Sequence, residues 1–159
     1  VWDFDGTDIM IAEDPEDEGF WEEGGNIITG FTNGSTYAFD TLTRSGTEIT
    51  SAIVSSAFAG AVSNVLTLSV GDVVTVVFNY TKNSGDDLRV VFSSSSNGAG
   101  TQISNAVNIS SSGLQSHDFT ITATGNAYLQ IGTGNSGHSI NFAATGISAN
   151  LYEITPLDI

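Results

Sequence analysis

Short runs in which apolar and polar residues alternate, separated by turn residues, cover most of the chain. A period of two residues is typical of strands that are buried on one side. We predict strands at residues 26–31, 36–42, 47–54, 62–68, 72–82, 87–93, 105–109, 116–123, 127–132 and 139–154, the last being two strands or one strand bent at Gly146. Asn33-Gly34 predicts a tight hairpin between the first two. The pattern predicts an all-β fold, an antiparallel two-sheet β-sandwich of about nine or ten strands with almost no helix.

The composition agrees with a single β-rich domain. The 159 residues have a mass of 16.5 kDa, which fits one domain. Hydrophobic residues make up 40% of the chain, enough to support a core, and β-branched and aromatic types dominate them. The chain has no cysteine, so disulfide bonds, thiolate catalysis and zinc–sulfur sites are excluded.

Charge divides the chain into two parts. There are 18 Asp and Glu against three Lys and Arg, a net charge of −15 that excludes nucleic acids and anionic membrane surfaces as partners. Ten of the 18 acids lie in the first 23 residues, where there is no base. We therefore predict an acidic leader at residues 1–24 and a β-sandwich domain at residues 25–159. The leader either contributes a first strand to this sandwich or is donated as a strand to a neighbour.

The leader also contains a candidate calcium site. Asp3, Asp5 and Asp8 are spaced like the first half of a calcium-binding loop. The glutamate that would complete an EF-hand loop is replaced by Asp14. Two interpretations stay open, a structural calcium ion held by the three aspartates and a solvated acidic segment that keeps the protein soluble.

Catalytic patterns are weak. His117 and His138 are the only histidines, and neither lies in a nucleophile-elbow or zinc-protease motif. Asp118 follows His117, but neighbouring residues of a strand point to opposite faces and form no dyad. A glycosidase would need two carboxylates across a cleft, and the eight acids beyond the leader lie mostly at turns or strand ends. We therefore predict a protein that is not an enzyme.

Several segments carry a family resemblance. In residues 68–78, Leu68 and Gly71 precede a long apolar strand, and residues 84–92 continue the pattern. Three later segments are similar to the last three strands of jelly-roll modules: residues 116–123, 129–132 and 147–153. The chain resembles the jelly-roll carbohydrate-binding modules that bind xylan and glucan, and the galactose-binding-like sandwiches. The same sandwich recurs in bacteriophage tail and fibre proteins.

Candidate ligand-binding residues follow from sugar chemistry and from this resemblance. Sugars stack their apolar faces on aromatic rings, for which the candidates are Trp21, Tyr37, Tyr80 and Tyr128. The alternation of side chains along a strand directs the Tyr128 side chain to the outer face and the Tyr80 side chain to the core. Trp21 is most simply interpreted as a residue that closes one end of the sandwich. The resemblance implies polar partners on the concave sheet, here Asn79, Arg89 and Gln130.

Two functions from different classes fit the sequence. The first is a non-catalytic carbohydrate-binding or adhesion module of a larger extracellular or virion surface protein, whose partner is a glycan or polysaccharide. The alternative is a structural subunit of a virion or cell-surface fibre, whose partners are neighbouring subunits. A salt-adapted acidic protein is a third, weaker interpretation. A glycan binder requires at least two exposed aromatics converging on one concavity, whereas a fibre subunit requires an apolar patch buried against its neighbour.

Overall fold

The computed structural model describes the backbone of residues 20–155 and the side chains of residues 25–152. Over this range the chain forms twelve strands and no helix, so the predicted all-β class is confirmed with a slightly higher strand count. The strands are β1 (Phe20–Asn26), β2 (Phe31–Asn33), β3 (Thr41–Ser45), β4 (Glu48–Val54), β5 (Gly60–Ser63), β6 (Leu66–Leu68), β7 (Val73–Gly85), β8 (Leu88–Ser93), β9 (Val107–Ile109), β10 (Gly113–Thr120), β11 (Gly125–Gly132) and β12 (Ile140–Thr155). The predicted boundary between residues 24 and 25 falls inside β1.

Two antiparallel sheets make up the sandwich, as predicted. The first sheet has the order β10-β7-β12-β4-β3, with β1 also paired to β12. The second sheet has the order β2-β5-β11-β8-β9, with β6 also paired to β11. Neighbours in each sheet are mostly distant in sequence, so the two faces are assembled from the whole chain.

The core fills the space between the sheets with one face of each strand. Along β7 the pleat directs Val76, Phe78 and Tyr80 inward, all at most 2% exposed. Between the sheets, Phe92 of β8 contacts Phe119 of β10 edge to face, with ring centroids 5.5 Å apart. Such edge contacts stabilise a core beyond the area that they bury.

Tyr80 lies inside this core, which contradicts its prediction as a ligand-binding residue. Its ring is 2% exposed and contacts the rings of Phe78 and Phe142, with centroids 6.5 and 6.0 Å away. No ring face is free to stack on a sugar, because the period-two pattern that favoured the core for this residue holds along β7. Its hydroxyl is buried without a partner. Burial, and to a smaller extent the charge of Asp87, raises the pKa of Tyr80 to about 12.

This pKa predicts a loss of stability at alkaline pH. The folded value lies above the unfolded value near 10, so the neutral phenol stabilises the fold fully below about pH 10 and the contribution is lost as pH rises towards 12. We expect Tyr80→Phe to reduce the alkaline fall in unfolding free energy by about 2 kcal/mol. Urea unfolding between pH 8 and pH 12 measures it. The control is Tyr37→Phe at an exposed ring, and an equal reduction in both variants would contradict the assignment to Tyr80.

Several strand predictions differ from the structure. The predicted strands at residues 26–31 and 36–42 are strands only at their ends, because β1 ends at Asn26, β2 covers Phe31–Asn33 and β3 begins at Thr41. The hairpin at Asn33-Gly34 is wrong, because β2 and β3 lie in different sheets; the Asn33 side chain instead binds the backbone of Phe39 at both N (2.7 Å) and O (2.9 Å). The predicted strand at residues 62–68 is divided into β5 and β6. The last stretch agrees with one of its two predicted alternatives: it is one strand, β12, bulged between Thr145 and Ser148 around Gly146, whose φ is +61°.

Candidate binding site

The outer face of the second sheet carries the candidate site. Along β11 the pleat directs Leu129 and Ile131 into the core and Gln130 to the outer face. Gln130 is opposite Val62 of β5 and Val91 of β8, which share that outer face. All three are nevertheless buried, Val62 and Val91 at 1% exposure and Gln130 at 4%. Another part of the chain therefore covers this face.

Part of this cover is the connection from β8 to β9 at residues 94–101, which we call the covering loop, because the carbonyl oxygen of Gly98 lies against Gly60 of β5 beside Gln130. The loop is hydrogen-bonded to the segment that follows β2, since the amides of Ser35 and Tyr37 donate to the carbonyls of Ser96 (3.1 Å) and Asn97 (2.7 Å). Inside the loop, Asn97 Oδ1 accepts from the amide of Ala99 at 2.9 Å. These bonds hold the covering loop against the segment that follows β2.

Glycines let the covering loop approach the sheet so closely. A Cβ atom on Gly60 of β5 would collide with the carbonyl oxygen of Gly98, and one on Gly98 would collide with that of Tyr37. Gly98 also has a φ of +95°, a conformation that other residues adopt only with strain. The loop therefore touches the sheet through backbone rather than through side chains.

A small cavity remains at one side of the covering loop, and we call it the Gln130 cavity. Its volume is about 160 Å³, and it is lined by Tyr37, Phe58, Arg89, Ala99, Gly100, Gln130 and Thr133. Tyr37, 40% exposed, and the half-buried Phe58 form its aromatic side. Their rings meet at 74° with centroids 6.0 Å apart. An aromatic side facing a polar side suits a ligand with both apolar and hydroxyl-bearing surfaces.

Gln130 and Thr133 supply polar groups to this cavity, and they differ in their hydrogen bonding. Thr133 Oγ1 donates to the carbonyl of Ala57 at 3.0 Å and accepts from the amide of Ala59 at 2.9 Å, so its hydroxyl is occupied. Gln130 Oε1 is buried without a partner. An unpaired buried acceptor costs about 1–3 kcal/mol, so this oxygen is the strongest sign of a missing donor.

Arg89 lies at the rim of the Gln130 cavity and is held in place by a neutral side chain. Its Nη2 donates to Gln102 Oε1 at 2.6 Å, and Gln102 Nε2 donates in turn to the carbonyl of Ser104 at 2.6 Å. Within the described part of the chain Arg89 forms no ion pair. A guanidinium has five N–H donors, so several remain for a ligand.

Arg89 also lines a second, wider depression, which we call the His138 groove. It measures about 420 Å³ and is lined by Gly85, Asp86, Asp87, Arg89, Asn108, Gly134, Asn135 and His138. Both carboxylates are engaged, since Asp86 accepts from the amide of Ser139 at 2.9 Å and Asp87 pairs with Lys82 at 3.2 Å. The groove is polar and shares Arg89 with the Gln130 cavity.

No protein-family model and no curated protein matches the chain. The N-terminal cellulose-binding domain of Cellulomonas fimi β-1,4-glucanase C is similar in structure, with a TM-score of 0.50 and 17% identity over 76% of this chain and 87% of that domain. This chain has the jelly-roll fold of carbohydrate-binding modules. BiXyn10A CBM1 in its apo form (TM-score 0.40, 13% identity, 83% of this chain and 99% of that one) is also similar. The enzymatically active domain of bacteriophage CBA120 tailspike protein 4 is similar as well, with a TM-score of 0.41 and 13% identity over 86% of this chain and 19% of that one.

The jelly roll brings together three of the residues predicted from sequence. Tyr37, Arg89 and Gln130 all line the Gln130 cavity. Asn79 does not join them, because it is exposed on β7 at the outer face of the first sheet. Trp21 lies in β1, also in the first sheet and opposite Ile154, and its side chain is outside the described residues.

Tyr128 lies on the predicted outer face of the jelly roll but in a separate depression. That depression of about 440 Å³ is lined by Thr29, Gly30, Phe31, Thr32, Ser63, Asn64, Val65, Ser96 and Tyr128. Ser96 belongs to the covering loop, which therefore separates Tyr128 from the Gln130 cavity. Tyr128 is half-buried.

The sequence did not single out Phe58 and Thr133, which also line the Gln130 cavity. Phe58 lies in the connection between β4 and β5, and Thr133 follows β11. An isolated aromatic in a connection gives no periodic signal, whereas a loop that mixes Asn97, Gly98 and Gly100 could have indicated a close backbone contact.

The calcium prediction falls on residues that the structure does not describe. Asp3, Asp5 and Asp8 lie outside residues 20–155, so their role stays a prediction. Among the described residues, no group of three or more His, Asp and Glu side chains is arranged to hold a metal ion. No helix in that range is long and apolar enough to cross a membrane.

Proposed function

We propose that this chain is a non-catalytic carbohydrate-binding module and that the Gln130 cavity is where its glycan binds. The observation that carries the proposal is the convergence on a single cavity of two aromatic rings, one guanidinium and the side chain of Gln130, whose amide oxygen is buried without a partner. Tyr37, which is exposed, and Phe58, which is half-buried, converge on this one concavity. A glycan-binding module needs these groups together, and a packed structural face does not.

Each group suits one part of a sugar ring. The C–H faces of a sugar pack against the rings of Tyr37 and Phe58, which removes apolar surface from water. Gln130 Oε1 accepts a hydrogen bond from a hydroxyl that enters the cavity. Arg89, fixed by Gln102, donates to a second sugar oxygen at the rim. The polar His138 groove accommodates further hydroxyls.

The carboxylates of the site support binding without catalysis. None of the described residues lining the Gln130 cavity carries a carboxylate. In the His138 groove, Asp86 and Asp87 are adjacent in sequence and both are engaged by other groups. Glycosidases use two carboxyl groups on opposite sides of the scissile bond, roughly 5–10 Å apart. The two carboxylates of the His138 groove come from consecutive residues instead.

A binding module of this kind attaches a larger protein to its target. We place the chain in a larger extracellular or virion-surface protein, where it acts in adhesion. The cellulose-binding domain that it resembles in fold is the N-terminal part of a glucanase, and is likewise named for binding. Calcium held by Asp3, Asp5 and Asp8 would be a structural addition to this function.

A binding screen tests the proposal. Isothermal titration against hexaoses of β-1,4-linked glucose, xylose and mannose, and against the matching soluble polymers, should give saturable binding to at least one. Each titration is repeated with EGTA, since a loss of binding would support a calcium ion in the leader. No binding across the panel, together with self-association on gel filtration, would favour the fibre subunit instead.

Tyr37→Ala should weaken that binding about 10-fold, which corresponds to about 1.4 kcal/mol of lost ring contact. Tyr37 is 40% exposed and outside the core, so the fold should persist. The matched control is Tyr128→Ala, which removes the same side chain from the depression on the other side of the covering loop. A loss of affinity in Tyr128→Ala alone would place the site in that depression and contradict the assignment.

A further inference from the structure

We propose, building on the function above, that this module recognises the end of a glycan chain. The terminal sugar enters the Gln130 cavity, and the following units leave along the His138 groove. Internal stretches of a long chain do not bind. Three observations carry this inference: the covered sheet face, the size of the cavity and the unpaired oxygen of Gln130.

The covered sheet face leaves no open platform for a chain to cross. Val62, Gln130 and Val91 form a row across three strands, and all are at most 4% exposed. The covering loop occupies the space where a chain running across the second sheet would lie. It also separates the Tyr128 depression from the Gln130 cavity, so the two do not form one continuous cleft.

The cavity admits no more than one sugar ring. Its volume is about 160 Å³. An engineered protein cavity of about 150 Å³ accommodates one benzene ring, whereas pockets for larger ligands measure about 300–1,000 Å³. The His138 groove, at about 420 Å³, is large enough for the next units of the chain. Since Arg89 lines both spaces, it marks the junction between the terminal sugar and the rest of the chain.

The chemistry of Gln130 Oε1 favours a terminal sugar over an internal one. This buried acceptor lacks a donor. At a non-reducing end the linkage position carries a free hydroxyl, which donates a hydrogen bond. In an internal unit the same position is a glycosidic oxygen, which carries no hydrogen. A ring that enters with its linkage position foremost therefore satisfies Gln130 only when it ends the chain.

Counting chain ends tests the inference on the unmodified protein. The soluble polymer that binds in the screen (barley β-glucan for glucose-based chains, arabinoxylan for xylose or glucomannan for mannose) is cut to increasing extents with an endo-acting hydrolase, which is then removed. Binding capacity per gram should rise in proportion to the number of ends, and a hexaose should bind one module per molecule with the affinity of the polymer ends within about threefold.

The outcomes separate this inference from the function on which it rests. A capacity per gram that stays constant while ends increase at least tenfold would overturn end recognition and leave carbohydrate binding intact. Absence of binding to every hexaose and every polymer would overturn the proposed function itself. A capacity that follows the number of ends supports both.

Discussion

Replacing Gln130 with leucine should weaken glycan binding about 10- to 100-fold and at the same time raise the free energy of unfolding by about 1 kcal/mol. The two effects have one cause. Gln130 Oε1 is buried without a partner, so removing it relieves the folded protein of a desolvated acceptor. A bound sugar would then have a hydroxyl facing an apolar side chain of similar size, which is unfavourable for the complex.

Titration calorimetry and urea unfolding measure the two effects on the same preparation. The matched control is Gln115→Leu on β10, whose amide donates to backbone carbonyls at the edge of the first sheet. That variant should bind glycan as the unmodified protein does. If Gln130→Leu binds normally, or if it loses stability and binding together, the unpaired oxygen is not a ligand contact.

Gly98→Ala should lower the free energy of unfolding by about 2–5 kcal/mol. A left-handed backbone costs an ordinary residue about 1–2 kcal/mol, and a forced contact in a packed region adds about 1–3 kcal/mol. Both costs apply at position 98, where φ is +95° and a Cβ atom would collide with the carbonyl oxygen of Tyr37. Because Tyr37 also lines the Gln130 cavity, the covering loop and the site should be disturbed together.

A second glycine isolates the contribution of the contact. Gly71 has nearly the same φ, +93°, but a Cβ there meets nothing within 4 Å. Gly71→Ala should therefore cost only the backbone strain and leave glycan affinity unchanged. Equal destabilisation of the two variants, measured by urea unfolding, would show that the covering loop is not packed as tightly as described.

Local pattern was enough to predict most of the strands. The long apolar run before Lys82 became β7, and the weak run before Ile109 became β9. The possible bend at Gly146 is present as a bulge in β12. Each of these predictions depends on the alternation of a few neighbouring residues, because the pleat alone decides which side chains face the core. The same reasoning correctly turned Tyr128 outward.

The candidate site depends on contacts between distant parts of the chain, and there the sequence was less informative. Asn33-Gly34 has the composition of a hairpin turn, but its Asn side chain caps a wider connection between two sheets. The burial of Gln130 comes from a loop about thirty residues earlier in the sequence, which no periodicity reveals. Polar composition alone cannot show whether a loop extends into solvent or lies on a sheet.

The position of β12 has a consequence for the order in which the protein forms. This 16-residue strand comes last among the strands described, yet it lies between β7 and β4 and also pairs with β1. During synthesis, the facing edges of β7 and β4 stay unpaired until residue 155 has left the ribosome. The first sheet therefore closes only when β12 inserts, and this late, non-local pairing predicts slow folding.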